Sequence, residues 1–160
     1  MRLILIKLLK FWAAKSRLEL IAGHGDSDSV YLVRYHLINN RFFKLYLHYF
    51  LRSDRDDFHD HPWAFTTLML QGAYTEELYD WRTRTYTQMR RNPSLNALIT
   101  RKAEDIHRVV VDQTLTVEQK DQAPMTLFLS GKKTKEWGFI KNYATAPIWT
   151  HWEEYLGVKE

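Results

Sequence analysis

The pattern of apolar and polar positions changes once along the chain, from a helical period to a strand-like one. Near the N-terminus, apolar residues recur on one side of a helix: Leu5, Leu8, Leu9 and Trp12. Lys7 and Lys10 share another side of the same helix. We therefore predict an amphipathic helix over residues 1–17 and a single domain over residues 18–160.

Two interpretations of this helix are open at the level of sequence. It caps the domain or packs in a dimer, or it lies on a membrane surface as a basic amphipathic helix. Its apolar run is too short and too charged to span a bilayer. The following Ala13-Ala14-Lys15 is a poor match to a signal-peptide cleavage site. We expect a cytoplasmic protein without a transmembrane segment, and a homodimer is an assembly that the helix and the sheet edges allow.

Beyond residue 17, short runs rich in β-branched and aromatic residues alternate with turn signals. The predicted strands cover residues 30–38, 42–51, 64–70, 73–80, 83–89, 96–101, 105–111, 124–130 and 134–140. Asn39-Asn40 and Gln71-Gly72 are examples of the turns between them. Many short strands without intervening helices predict an all-β sandwich or barrel. Residues 149–157 add one short C-terminal helical turn, with Gly157 as its C-cap.

The composition restricts the chemistry that is open to this chain. It has 160 residues and no cysteine, which excludes disulfides, zinc–thiolate sites and thiol nucleophiles. Any metal must therefore be held by His, Asp or Glu. The net charge of +4 is spread along the chain and favours anionic partners only weakly.

The main candidate site is the segment Phe58-His59-Asp60-His61-Pro62-Trp63. Side chains alternate between faces in an extended segment, so His59 and His61 point one way and Asp60 points the other. A third histidine, His107, lies among valines on a later predicted strand, where its ring nitrogens need a partner. A metal is one such partner, and a tyrosine or a buried water is another. Two imidazoles on one strand and a third from its partner form a three-nitrogen metal site.

His-x-His on a strand, Gly72 eleven residues after His61, and one downstream histidine resemble the cupin superfamily. The similarity spans roughly residues 43–155 and is closest to small uncharacterised cupin-like proteins of bacteria and their phages. The matching segments are HDHPW at 59–63, and residues 70–76, 105–109, 126–129 and 137–139. This resemblance implies a cupin-type double-stranded β-helix, or jelly-roll barrel. It also implies one divalent transition metal on His59, His61 and His107, with Fe(II) favoured over Zn, Mn or Ni.

The chain departs from the cupin pattern at the glutamate of the first motif. Phe65 and Thr66 stand where that glutamate is expected, a few residues past His61. The Pro-x-Gly that precedes the last cupin histidine is also absent. The site is therefore either a three-histidine centre or one completed by another carboxylate, such as Glu76 or Glu77.

Of these two carboxylates, Glu76 is our candidate catalytic residue. It shares a strand face with Tyr74 and Leu78, which makes it the inward-pointing metal ligand or general base if that strand lines the barrel. An exposed strand carboxylate is the alternative interpretation. The acidic segment at residues 53–57 lacks the glycine and glutamate of a calcium loop, and we interpret it as a solvated loop.

These residues predict a metal-dependent cupin enzyme that acts on a small polar or anionic molecule. Open positions on iron suit O₂-dependent oxidation of the dioxygenase type, and open positions on zinc or manganese suit isomerisation or epimerisation. The alternative is a non-catalytic small-molecule-binding or sensor cupin, which the missing glutamate supports. A third interpretation is a nucleic-acid-binding accessory protein, although a solvated outer face explains its cations more simply. Those cations are Arg82, Arg84, Arg90, Arg91, Arg101 and Lys102.

Overall fold

The computed structural model of the chain describes residues 2–23, 26–54 and 58–157. Two α-helices and a 3₁₀ helix lie among many strands: α1 Arg2–Ala13, the 3₁₀ helix Val117–Gln122 and α2 Trp152–Leu156. The first strands are β1 Arg17–Gly23, β2 Asp26–Asn39, β3 Lys44–Phe50, β4 Phe58–His59, β5 Phe65–Gln71 and β6 Tyr74–Asp80. The remaining ones are β7 Thr85–Arg91, β8 Leu98–Arg101, β9 Ile106–Val110, β10 Met125–Ser130, β11 Gly138–Lys141 and β12 Ile148–His151.

The strands form two antiparallel six-stranded sheets that pack as a jelly-roll sandwich. The order is β1-β2-β3-β10-β5-β8 in the first sheet and β12-β11-β4-β9-β6-β7 in the second. The predicted all-β jelly roll with an N-terminal helix and a short C-terminal helical turn is confirmed. β1 and β12 were not among the predicted strands. Both are edge strands, whose partial exposure weakens the apolar alternation that identifies a strand.

β3, in the middle of the first sheet, is buried on both faces, which explains its nearly continuous apolar character. Leu47 and Tyr49 belong to a core cluster with Ile6, Leu9 and Ala13 of α1. Because successive side chains alternate, His48 between them points to the opposite face, toward the second sheet. The helix therefore covers the outside of the sheet, while the inside is left to line a cavity.

The buried side of α1 differs from the one that its sequence predicted. The structure buries Ile6, Leu9 and Ala13, whereas Leu8 is 62% exposed and Trp12 is 42% exposed. The helix is apolar on more than one side, and contact with the sheet selects the stripe at spacings of three and four residues. No helix in the described ranges is long and apolar enough to cross a membrane. The homodimer and the cytoplasmic location stay predictions.

Gly72 lies in the tight connection between β5 and β6, at a φ of +69°. A Cβ built there would stand 2.9 Å from the Cα atom of Pro124. We expect Gly72→Ala to lower the free energy of unfolding by about 1–3 kcal/mol from backbone strain, with a further loss from this contact. Urea denaturation measures the loss.

Gly157→Ala is the matched control for this prediction. Gly157 also has a positive φ, of +66°, but a Cβ there meets no atom within 4 Å. It should therefore show the strain without the steric contact. Equal losses in the two variants would mean that the approach of Pro124 contributes nothing.

Candidate metal centre

The three candidate histidines come together because β4 pairs with β9 across the second sheet. His59 stands directly opposite His107 in this pairing. His61 follows two residues later on the same face, and its backbone N–H donates to the carbonyl oxygen of Ala103 at 3.2 Å. One ring nitrogen from each histidine lies within 4.8 Å of the others, and Nε2 of His61 is 2.8 Å from Nε2 of His107.

The spacing of the His61 and His107 rings and the charge state of His61 fit a bound divalent metal. Nitrogens that share a metal at about 2.0–2.1 Å are roughly 3 Å apart, close to the separation of the two Nε2 atoms. Burial, followed by the charges of neighbouring His107 and His59, lowers the pKa of His61 well below its ordinary value. His61 is therefore neutral at pH 7, and the neutral imidazole is the form that binds metals.

Glu76 points inward from β6, as its strand face predicted, and is 1% exposed. Its Oε1 accepts a hydrogen bond from Nδ1 of His107 at 2.8 Å, and its two oxygens accept from Arg101 at 3.1 and 2.9 Å. Burial raises the pKa of Glu76, but the hydrogen bonds and charges of His107 and Arg101 outweigh burial and lower it from 4.5 to about 2. The carboxylate is thus ionised and can only accept hydrogen bonds.

This contact fixes the tautomer of His107. Because Glu76 is an acceptor, Nδ1 carries the proton in the neutral form of His107, and Nε2 of that form presents its lone pair toward His61. Metal-binding histidines are commonly oriented by a carboxylate in this way. The roles predicted for Glu76 as a ligand or general base stay predictions.

Arg91 and Arg101 are the two arginines that lie beside the carboxylate of Glu76. Arg91 is 1% exposed, lies 3.7 Å from Oε2 of Glu76, and donates to the hydroxyl oxygen of Tyr74 at 2.6 Å. Its remaining hydrogen bonds go to the carbonyl oxygens of Thr67, Asn96 and Ala97. Both arginines therefore act inside the fold. The sequence pattern grouped them with the surface cations. Because they act inside the fold, they no longer support the nucleic-acid interpretation.

Two aspartates near the histidines, Asp54 and Asp60, differ in whether they contact a histidine ring. Oδ2 of Asp54 lies 3.2 Å from Nδ1 of His59, and its side chain is only 8% exposed. The prediction of a solvated loop is therefore wrong for Asp54, and residues 55–57 of that segment lie outside the described residues. Asp60 points away from the histidines, as predicted, and accepts hydrogen bonds from Gly138 N–H, the Trp149 indole and Lys135.

The histidines open onto a cavity of roughly 90 Å³ between the two sheets. Glu76 and Arg91 line it with them, and the first sheet contributes Arg34, His48 and Phe128. Neither His48 nor Arg34 was among the candidate site residues that the sequence predicted. The available signal was the alternation along β3, which places His48 on the face opposite to the apolar Leu47 and Tyr49.

No family model and no curated protein matches the chain. Solved structures do resemble it. The polyketide cyclase RemF from Streptomyces resistomycificus has a TM-score of 0.55 at 14% identity, covering 88% of this chain and 87% of RemF. An RmlC-like cupin from Shewanella frigidimarina has a TM-score of 0.51 at 11% identity, covering 76% of this chain and 88% of its own.

The Fe(II) form of HppE in complex with substrate has a TM-score of 0.54 at 9% identity. The match covers 74% of this chain but only 57% of HppE, so this chain spans little more than half of that protein. At such low identities the likeness concerns the fold. The two antiparallel sheets, their jelly-roll packing and these neighbours together show that the chain has a cupin-type fold.

Proposed function

We propose that this chain is a metal-dependent enzyme that acts on a small polar or anionic molecule at a site formed by His59, His61 and His107. The observation that carries the proposal is the convergence of three ring nitrogens within 4.8 Å at the wall of a cavity. A structural metal site is usually closed by four protein ligands, whereas three leave room for a substrate. When bound, the metal would supply a Lewis acid with open coordination positions.

The surrounding residues have separate roles in this proposal. Glu76 positions His107 and keeps its Nε2 lone pair available, and Arg101 keeps Glu76 ionised. Asp54 restrains the ring of His59 from the other side of the centre. The aromatic rings of Phe65 and Phe128, stacked at 4.9 Å, limit the water that reaches the cavity.

Fe(II) is the metal that we expect first, with an O₂-dependent oxidation ahead of isomerisation or epimerisation. The HppE structure, which contains Fe(II), shares the fold and supports the choice of metal. We also propose that the chain groups with small cupin-like proteins of bacteria and phages that carry the HDHPW segment. In this chain the segment supplies His59 and His61 to the centre.

The metal content of protein purified without an affinity tag tests the proposal, with elemental mass spectrometry as the measurement. We expect about one equivalent of a divalent transition metal per wild-type chain. The His59→Ala/His107→Ala double variant should hold none, because one remaining imidazole does not retain a metal through purification.

His151→Ala is the control, because His151 lies beside Glu136 and Glu153 and away from the cavity. It should keep the full metal content. The wild-type protein is also reconstituted anaerobically with Fe(II) and loaded with zinc or manganese. If it stays free of metal, the proposal of a metalloenzyme is refuted. The non-catalytic binding module would then be the better interpretation.

A further inference from the structure

The cavity that the histidines line also carries an arginine from each of the two sheets. Two arginines line it within the described ranges, Arg34 and Arg91, and Arg91 is engaged by Tyr74 and Glu76. Arg34 comes from β2 in the opposite sheet, so its guanidinium group approaches the cavity from the side away from the metal ligands.

A series of contacts links this arginine to the histidine centre across the cavity. Nε of Arg34 donates to Nε2 of His48 at 3.0 Å, and His48 packs on Phe128 with ring centroids 5.0 Å apart. Phe128 stacks on Phe65, which contacts the ring of His61 at 4.7 Å. The arginine and the metal ligands are therefore opposite ends of one small, largely aromatic chamber.

Arg34 is held in place by one neutral partner, His48, and one charged partner, Glu19. Burial, followed by the charges of Arg34 and His36, lowers the pKa of His48 well below its ordinary value, so its ring is an uncharged acceptor. Nη1 of Arg34 reaches Glu19 at a longer 3.3 Å, and Glu19 is shared with His36 at 2.9 Å. The ring of Tyr46 packs 4.8 Å from the guanidinium carbon.

These contacts use Nε and Nη1 but not the third guanidinium nitrogen. Nη2 makes no hydrogen bond to any residue in the described part of the chain. A guanidinium group whose orientation is already fixed loses little entropy when it binds a carboxylate, and its planar geometry suits that group. A divalent metal at the histidines would add positive charge to the same chamber and would further favour an anion.

We infer that Arg34 binds the carboxylate of the ligand, and that the ligand is a small carboxylate with an apolar body lying between Arg34 and the histidine centre. The inference rests on the proposed function, because it places the opposite end of the ligand at the metal ligands. The aromatic walls contributed by Phe50, Phe65 and Phe128 suit the apolar body. The small volume of the chamber restricts the ligand to a few heavy atoms.

Isobutyrate and its neutral isostere isobutyramide test this inference, with dissociation constants measured by ligand-observed NMR at pH 8. Both probes are measured on metal-free and metal-loaded wild-type protein. We expect isobutyrate to bind about tenfold more tightly than isobutyramide in both forms, as a charge-assisted hydrogen bond requires. Arg34→Met should abolish this preference, and Arg34→Lys should restore part of it.

The controls separate this inference from the proposed metal site. Arg84→Met removes an exposed arginine that donates to the Thr145 carbonyl and does not line the chamber, and it should keep the preference for isobutyrate. A metal-free wild type that prefers isobutyrate supports the role of Arg34 even if no metal ever binds. Equal affinity for the two probes, or a preference that survives Arg34→Met, would overturn the inference whatever the metal content. If the Arg34 variants fail to fold, equal affinity of the wild type for the two probes still overturns the inference.

Discussion

Glu76→Gln is expected to lower the free energy of unfolding of the metal-free protein by about 3 kcal/mol at neutral pH, the equivalent of a pKa lowered from 4.5 to about 2. The carboxylate is the shared anionic partner of Arg91, Arg101 and His107. A neutral amide leaves Arg91, which is 1% exposed, without a counter-charge, and a buried charge that loses its partner is costly.

The loss should depend on pH in a defined direction. The pKa of Glu76 is lower in the folded protein than in the unfolded chain, so its carboxylate stabilises the fold fully above about pH 4.5. This contribution disappears as the pH falls from 4.5 toward 2. Urea denaturation of wild type and variant between pH 7 and pH 3 measures the difference. A stability difference that stays constant down to pH 3 would contradict the low pKa.

The same substitution should weaken metal binding by about 10–100-fold, because Glu76 fixes the tautomer and orientation of His107. Competition with a chelator of known affinity measures this effect. Glu77→Gln is the matched control, since Glu77 lies on the other face of β6 and bonds Arg108 and Gln88. An unchanged metal affinity in Glu76→Gln would remove the positioning role from Glu76.

Arg91→Met should be strongly destabilising, with a loss of about 3–5 kcal/mol. Methionine fills part of the volume but leaves the Tyr74 hydroxyl, Glu76 and three backbone carbonyls without their donor. Because these groups are buried, water does not replace the lost hydrogen bonds. Thermal and urea denaturation measure the effect.

Arg90→Met is the control for the stability loss expected of Arg91→Met. Arg90 pairs with Asp112 at the surface, where both side chains are largely solvated, and Arg90→Met should cost at most about 1 kcal/mol. Equal losses in the two variants would mean that the interior network around Arg91 contributes no more than a surface ion pair.

Several features of the site could be predicted from the sequence because they depend on local geometry. The two-residue period of a strand placed His59 and His61 on one face and Asp60 on the other, and the structure has this arrangement. The same period correctly predicted that Glu76 points inward. The HDHPW segment and His107 suggested a cupin-type jelly roll, and the fold is confirmed.

Other features depend on partners that are distant in the chain. Arg101 and Arg91 read as surface cations because their carboxylate, Glu76, is distant in the chain. Arg91 reaches it from the neighbouring strand β7, and Arg101 reaches it from β8 in the other sheet, and the sequence specifies neither arrangement. Asp54 read as part of a solvated loop because its contact with His59 depends on how the loop folds back over β9. The buried side of α1 was also missed, since a helix that is apolar on several sides is oriented by what it packs against.

The sequence alone thus determined the strand-rich class, the three candidate histidines and which side chains of one strand share a face, and it favoured Glu76 as the inward carboxylate. These follow from alternation along a single strand, whose period is fixed by backbone geometry. The tertiary structure decided which charges meet in the interior. It placed Glu76 between two arginines and His107, and it brought Arg34 to the cavity from the opposite sheet. Such contacts arise from sheet order and packing, which bring together residues that no local pattern connects.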